Sequence, residues 1–282
     1  MGRIKTFFLM LALVLLFMWV GDMLGGQEGM RMAFWLALAM NFFSYFFSDT
    51  MVLKHYKARE VSKQNAPELY EIVERLAKKA ELPMPKVYIV DEDVPNAFAT
   101  GRNPKHAAVA ATTGLLRLMN EDEIEGVLAH EMSHVKHYDI LTSSVAATFA
   151  AAISMVSRLA GYRANVSNTK RNNNNAIGEI VGVVLMPIAA AIVQFAISRT
   201  REFAADAGSA KLTGHPEWLI RALTKLEEYS KRGVMKGANT QTAHFFIINP
   251  LNAVQSNLTS LFATHPSTKD RIERLEKMTK NL

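Results

Sequence analysis

Two apolar runs near the amino terminus constrain this chain more than any other feature. Residues from about Ile4 to Val20 are an almost unbroken series of Phe, Leu, Met, Ala and Val, and a second, aromatic-rich run extends from about Met32 to Phe47. The first run is long enough to span the hydrocarbon core of a bilayer as a helix. The first run, preceded by Arg3 and Lys5, also has the shape of a signal peptide. No small-residue cleavage site follows it and the second run comes quickly, which predicts an uncleaved helical hairpin. The short connector carries Asp22, Glu28 and one arginine, whereas Arg3, Lys5, Lys54, Lys57 and Arg59 flank the pair. The positive-inside rule therefore places both ends of the hairpin in the cytoplasm.

Further along stands His130-Glu131-Met132-Ser133-His134. The residues before it predict a helix: Asn120 as N-cap, Glu121-Asp122-Glu123 as an acidic first turn, then Ile124, Val127 and Leu128 at helical spacing. Two histidines four apart on a helix share one face, so both imidazoles can reach one small tetrahedral cation. The Glu131 carboxylate can then take a proton from water at that cation, the arrangement of a zinc hydrolase. Chance produces H-E-x-x-H roughly once in a hundred sequences of this composition, and the competing reading is a charged amphipathic helix with two surface histidines. The helix signals upstream favour the metal.

A third ligand is required. His137 shares the helix face but lies a full turn from a cation held between His130 and His134. The longer pattern H-E-x-x-H-x-x-G-x-x-H also fails, with His137 in the glycine slot and Ile140 in the last histidine slot. The segment Arg199 to Asp206 supplies Glu202 and Asp206, four apart and on one helical face. Glu202 can ligate, while Asp206 can accept the outward N–H of a ligating histidine and fix its tautomer. A solvated helix with Arg–Glu pairing is the bland alternative for this pair. The chain of 282 residues has no cysteine, so disulfides and thiolate sites are excluded and histidine and carboxylate are left to hold a single Zn2+ ion.

Two more apolar stretches, about Ile140 to Ala160 and Ile177 to Ile197, are richer in Ala, Gly and Ser and can face protein as readily as lipid. Because His134 precedes them and Glu202 follows them, they cross a membrane twice or not at all. If they cross, Arg158, Arg163, Lys170 and Arg171 lie outside, against the charge rule; a shallow hairpin removes that conflict. The organisation expected is a transmembrane hairpin (1–53), a first catalytic half with the motif helix (54–138), an inserted hydrophobic hairpin (139–198) and a second catalytic half (199–282). Within the first half, a helix from Pro67 to about Lys79 precedes three short strands: Val87 to Val90, Ala97 to Gly101 and Ala107 to Thr112. The small residues of the segment Asn96, Ala97, Phe98 and Ala99 would let an extended peptide add to the sheet edge beside the metal. An ordinary small sheet explains the pattern equally well. Arg171 to Asn175 is a polar low-complexity turn, and the net charge of +6 is spread along the chain, which suits an anionic membrane surface and not nucleic acid.

Taken together, these residues resemble the HtpX-type membrane zinc metalloproteases of bacteria, relatives of the CAAX prenyl proteases. The resemblance rests on the amino-terminal hairpin, Asn96 to Gly101, His130 to His134, Arg201 to Asp206, and Thr264-His265-Pro266-Ser267 with Arg271. Met132-Ser133 departs from the Leu-Gly common in relatives, on the side away from the metal. What it implies is a mostly α fold with a small β-sheet (α+β), an integral membrane, zincin-like metallopeptidase with its active site facing the cytoplasm. The implied ligands are His130, His134 and Glu202, the general base is Glu131, and His265 would stabilise an oxyanion; Arg271 is expected to be structural. The implied activity is cleavage of damaged or misfolded proteins of the inner membrane under stress, overlapping an ATP-dependent membrane protease. Three competitors remain: a prenyl-peptide protease, a non-enzymatic chaperone or adaptor, and a zinc transporter. The first needs a large membrane chamber, the second leaves an intact site unexplained, and the third needs ionisable residues that the apolar runs lack.

Overall fold

A computed structural model describes residues 2–143, 145, 199–232 and 266–280 of the protein. Most of the third apolar stretch, all of the fourth, Arg171 to Asn175 and His265 lie outside the described residues.

The amino-terminal runs form one helical element, α1 (Gly2–His55), broken at Gly25 and Gly26. Gly26 has φ 57 and ψ −148, a backbone conformation closed to residues with a Cβ, and the chain reverses there. The two arms touch where Gly21 and Gly29 meet: a Cβ on Gly29 would lie 2.2 Å from the Gly21 carbonyl oxygen. Further along, Leu9 and Leu13 pack with Met40 and Tyr45, and Asn41 Nδ2 donates to the Met10 carbonyl at 3.4 Å. A hairpin is therefore present, with unequal arms. Gly25–Phe47, at 23 residues, is long and apolar enough to cross a membrane, while Thr6–Asp22 is a shorter apolar helix. Among the described residues only the first of these meets the length of a full span, because Asp22 ends the apolar sequence of the other arm early. Phe7, Trp35, Phe42 and Phe43 remain exposed on its outside.

The soluble part is built on a four-stranded mixed sheet in the order β1-β2-β4-β3. The strands are β1 (Arg59–Val61), β2 (Lys86–Val90), β3 (Ala97–Gly101) and β4 (Ala107–Thr112). β2 runs parallel to β4, whereas β1–β2 and β3–β4 are antiparallel, with Ala99 opposite Val109 in the last pair. β1 was not foreseen; three residues reading Arg-Glu-Val are too short for alternation to show. Side chains alternate across the sheet. Val87, Ala97, Ala99, Val109 and Ala111 face the main core, and Val90, Phe98 and Ala110 face the far end of α1 through Val52, Leu53 and Tyr56.

Six further α-helices lie wholly within the described residues: α2 (Pro67–Ala80), α3 (Thr113–Leu118), α4 (Glu121–His137), α5 (Arg199–Thr213), α6 (Pro216–Lys231) and α7 (Thr268–Thr279). The core draws Leu69, Ile72 and Leu76 from α2, Val127, Leu128, Met132 and Val135 from α4, Ala210 from α5, Leu219, Leu223 and Leu226 from α6, and Leu275 from α7. The parts of the chain before and after the insertion thus share one core. α4 lies in its centre, and glycines let its neighbours approach. A Cβ on Gly208 of α5 would lie 2.1 Å from Ser133 Oγ, and one on Gly126 of α4 would lie 2.8 Å from the Leu219 nitrogen.

Candidate active site

α4 starts where the sequence predicts. The Asn120 side chain accepts from the Glu123 N–H and the Glu123 carboxylate accepts from the Asn120 N–H, each at 3.0 Å, a reciprocal capping box. That start sets the rotation of the helix, and Val127, Leu128 and Met132 bury its other faces. His130 and His134 then project together. Their Nε2 atoms stand 3.2 Å apart. Glu202, in the first turn of α5, brings Oε2 to 3.7 Å from His130 Nε2 and Oε1 to 3.4 Å from His134 Nε2.

These separations test whether a metal fits. Ligands about 2.0–2.1 Å from a tetrahedral zinc ion lie about 3.3–3.4 Å from one another. The two imidazole nitrogens stand at such an edge, 3.2 Å apart, and each faces a different Glu202 oxygen, Oε2 at 3.7 Å and Oε1 at 3.4 Å, so one carboxylate spans both histidines. Two imidazole nitrogens and a carboxylate oxygen form the donor set of a catalytic site with one position left open. His130, His134 and Glu202 could together hold such an ion, their ligating atoms all lying within 4.8 Å of one another.

Behind each histidine stands an aspartate, and behind each aspartate an arginine. His130 Nδ1 is 2.9 Å from Asp206 Oδ1, and Arg271 donates to Asp206 through Nε at 2.9 Å and Nη2 at 2.6 Å. His134 Nδ1 is 3.3 Å from Asp139 Oδ2, and Arg201 Nη1 donates to Asp139 Oδ1 at 3.3 Å. Burial works against charge on His130, but hydrogen bonds to Asp206 and Glu202 outweigh it and raise the imidazole to about 9. Burial likewise opposes the Asp206 charge, and the neighbouring Arg271 and His130 still hold that carboxyl down at about 2. The acid is thus ionised throughout the neutral range and available as an acceptor for the outer face of His130.

The Glu131 side chain turns toward the sheet, where Oε2 accepts the backbone N–H of Ala99 at 3.0 Å. β3 is the free edge of the sheet on this side, among the described residues. Of the segment singled out in the sequence, Ala97 and Ala99 face the core that contains α4, whereas Phe98 points away and meets the Tyr56 ring at 5.3 Å. Asn96 precedes the strand; its backbone is tied to Thr112, whose Oγ1 accepts the Asn96 N–H at 2.8 Å. His137 ends α4, exposed and apart from the histidine pair. Ser133 donates to the Ala129 carbonyl at 3.0 Å and abuts α5.

Sequence reasoning missed Asp139 and Arg201, and it gave Arg271 no place beside His130. Arg271 is 1% exposed and its Nη2 lies 3.4 Å from His130 Nδ1. Its helix α7 is further seated by Arg274, whose guanidinium lies 3.7 Å from the centre of the Phe203 ring. Ser267, whose Oγ accepts the Asp270 N–H at 3.1 Å, is a residue type whose capping preference could have signalled the start of α7; no sequence signal shows which face of α7 turns inward.

Comparison with known proteins agrees with this geometry. Residues 63–279 match the model of peptidase family M48. The chain belongs to that family. A protein named protease HtpX homolog from Campylobacter hominis is 58% identical over 282 residues, covering 100% of both chains. Namesakes from Sulfurovum and Thermodesulfovibrio yellowstonii are 52% and 49% identical, over 98% and 99% of this chain and 99% of each of theirs. Among solved structures, S. mikatae Ste24p shares the fold, with a TM-score of 0.57 and 21% identity. That match covers 97% of this chain but 65% of Ste24p, so the chain spans under two thirds of that protein's length. As a member of the family the protein is a metalloprotease, and the histidines and glutamate described above are where its metal can sit.

Proposed function

We propose that the protein is a zinc-dependent endopeptidase of the bacterial inner membrane that hydrolyses peptide bonds in misfolded or damaged membrane proteins. The observation that carries this reading is the convergence of His130, His134 and Glu202 on one point, with Glu131 beside them and an open strand edge next to Glu131. Zinc held by these three side chains would acidify a water molecule and polarise a carbonyl.

The remaining roles fall to the chain itself. Glu131 takes the proton from the attacking water and returns it to the departing amine. Its carboxylate is already oriented by the Ala99 N–H, which engages one oxygen and leaves the other for the water. Asp206 holds the outer nitrogen of His130 and so presents its Nε2 lone pair inward. A substrate in extended conformation would pair with the edge of β3 at Ala97 to Ala99. His265, carried over by the resemblance, is assigned to the oxyanion.

The basic residues flanking the hairpin support a multi-pass inner-membrane protein with its site in the cytoplasm. The shared core supports a catalytic unit split into residues 54–138 and 199–282 by an inserted hydrophobic hairpin. The substitution Glu131→Gln tests the assignment. It is expected to retain zinc at wild-type stoichiometry while cleavage of a membrane-protein substrate is lost. Cleavage at the wild-type rate would refute the role of Glu131.

A further inference from the structure

We infer that Asp139 is a positioning residue for the metal site: it fixes the His134 imidazole, and Arg201 in turn holds Asp139 in place. The inference rests on the metal-binding reading above and adds to it a second support for the ligand set.

The first argument is chemical. A histidine that offers Nε2 to a cation carries its proton on Nδ1, and an acceptor at Nδ1 decides both the tautomer and the plane of the ring. Asp139 Oδ2 stands 3.3 Å from His134 Nδ1, and its other oxygen accepts from Arg201 Nη1 at the same distance. A carboxylate that is only 6% exposed requires such partners.

The second argument is the backbone. Were α4 to continue, residue 139 would lie five positions after His134 and about 140° around the helix, on the wrong side to reach its ring. The helix instead stops at Tyr138, with φ 62 and ψ 22, a left-handed conformation that non-glycine residues seldom adopt. The Tyr138 N–H closes the turn on the carbonyls of His134 and Val135, and a new helix begins at Asp139. An unfavourable backbone conformation thus lies between the ligand and its acceptor and brings the two together.

The third argument is connectivity. Arg201 directly precedes Glu202 on α5, so the Asp139–Arg201 pair links the end of the helix that carries two ligands to the start of the helix that carries the third. In sequence, the two residues flank the hydrophobic segment that separates the catalytic halves. One ion pair therefore sets the orientation of His134 and ties together the points where that segment departs and returns.

The test uses the full chain purified in detergent, titrated with Co2+ and, in competition with a chromophoric chelator, with Zn2+. Asp139→Ala is expected to weaken Zn2+ binding about 10–100-fold and to alter the visible bands of the Co2+ form, because the His134 ring is released. Asp139→Asn keeps an acceptor oxygen and should recover most of the affinity, with Arg201→Gln between the wild type and the alanine variant. A merely structural ion pair would lower the unfolding temperature and leave the Co2+ bands unchanged. Wild-type affinity and bands in Asp139→Ala overturn the inference. If that variant does not fold, wild-type Zn2+ affinity and unchanged bands in Arg201→Gln overturn it equally. A wild-type chain that takes up neither ion refutes the metal site itself and this inference with it.

Discussion

His130 and His134 each give an outer nitrogen to an aspartate that an arginine holds, yet the two arms sit in different surroundings. The side chains of His130, Asp206 and Arg271 are 1–3% exposed, and Arg271 grips Asp206 with two nitrogens at 2.6 and 2.9 Å. The side chains of His134, Asp139 and Arg201 are 9–14% exposed, and Arg201 makes a single contact at 3.3 Å. A buried bidentate pair is an all-or-none device: with one partner gone, the other is a charge that water cannot reach. A pair joined by one contact at 3.3 Å, with its carboxylate also facing a histidine, loses less when broken. The closed arm belongs to the fold as much as to the site, while the open arm can be adjusted without collapse.

Breaking the closed arm should have the largest effect. Arg271→Ala strands the Asp206 carboxylate in the core and is expected to destabilise the chain by about 3–5 kcal/mol, read as a drop in unfolding temperature in detergent. A change no larger than that of an exposed arginine would erase the distinction between the arms. Next comes the spacing shared by both arms. Gly208→Ala puts a Cβ where Ser133 Oγ stands, 2.1 Å away, and should cost about 1–3 kcal/mol by overpacking. Ser133→Gly in the same chain should restore much of it; no rescue would mean that α5 is held off α4 by something other than that contact.

Asp206→Asn keeps the shape of the closed arm and removes its charge, so Zn2+ affinity should fall about 10–100-fold. Competition with a chelator measures it, and an unchanged affinity would show that the carboxylate is dispensable to His130. Arg201→Ala should be mildest for stability, about 1–2 kcal/mol, because it removes a single 3.3 Å contact from the Asp139 carboxylate, which His134 still faces. A loss equal to that of Arg271→Ala in the same melting assay would show that the open arm is not open.

The part of the site that could be read in the sequence is the part written at helical spacing. Asn120 and Glu123 announce the start of α4, His130 and His134 follow on one face, and Glu202 and Asp206 repeat the interval of four on α5. Asp139, Arg201 and Arg271 were out of reach for a physical reason. Their contacts span 62 residues from Arg201 to Asp139 and 65 from Arg271 to Asp206, and no periodicity connects elements that far apart. Asp139 was further hidden by the left-handed turn at Tyr138, since a continuous helix would have carried it away. The hairpin of α1 was legible from its apolar runs, but not the shorter span of its first arm, which depends on where Asp22 and the Gly25–Gly26 break fall.

The seating of the sheet on α1 sets a distance of approach. The apolar span ends at Phe47 and α1 runs on to His55, a further eight residues (55 minus 47), where Val52, Leu53 and Tyr56 meet Phe98 on the back of β3. At about 1.5 Å per residue that overhang is about 12 Å. A polypeptide leaving the hydrocarbon beside α1 covers that height in about four extended residues at about 3.3 Å each. Arg102, whose guanidinium lies 5.6 Å from the centre of the Phe46 ring, brings the turn after β3 back down to the end of the span. With the apolar span placed in a bilayer as proposed, the edge strand would stand one short tether above the lipid, within reach of a chain whose next residues are still embedded.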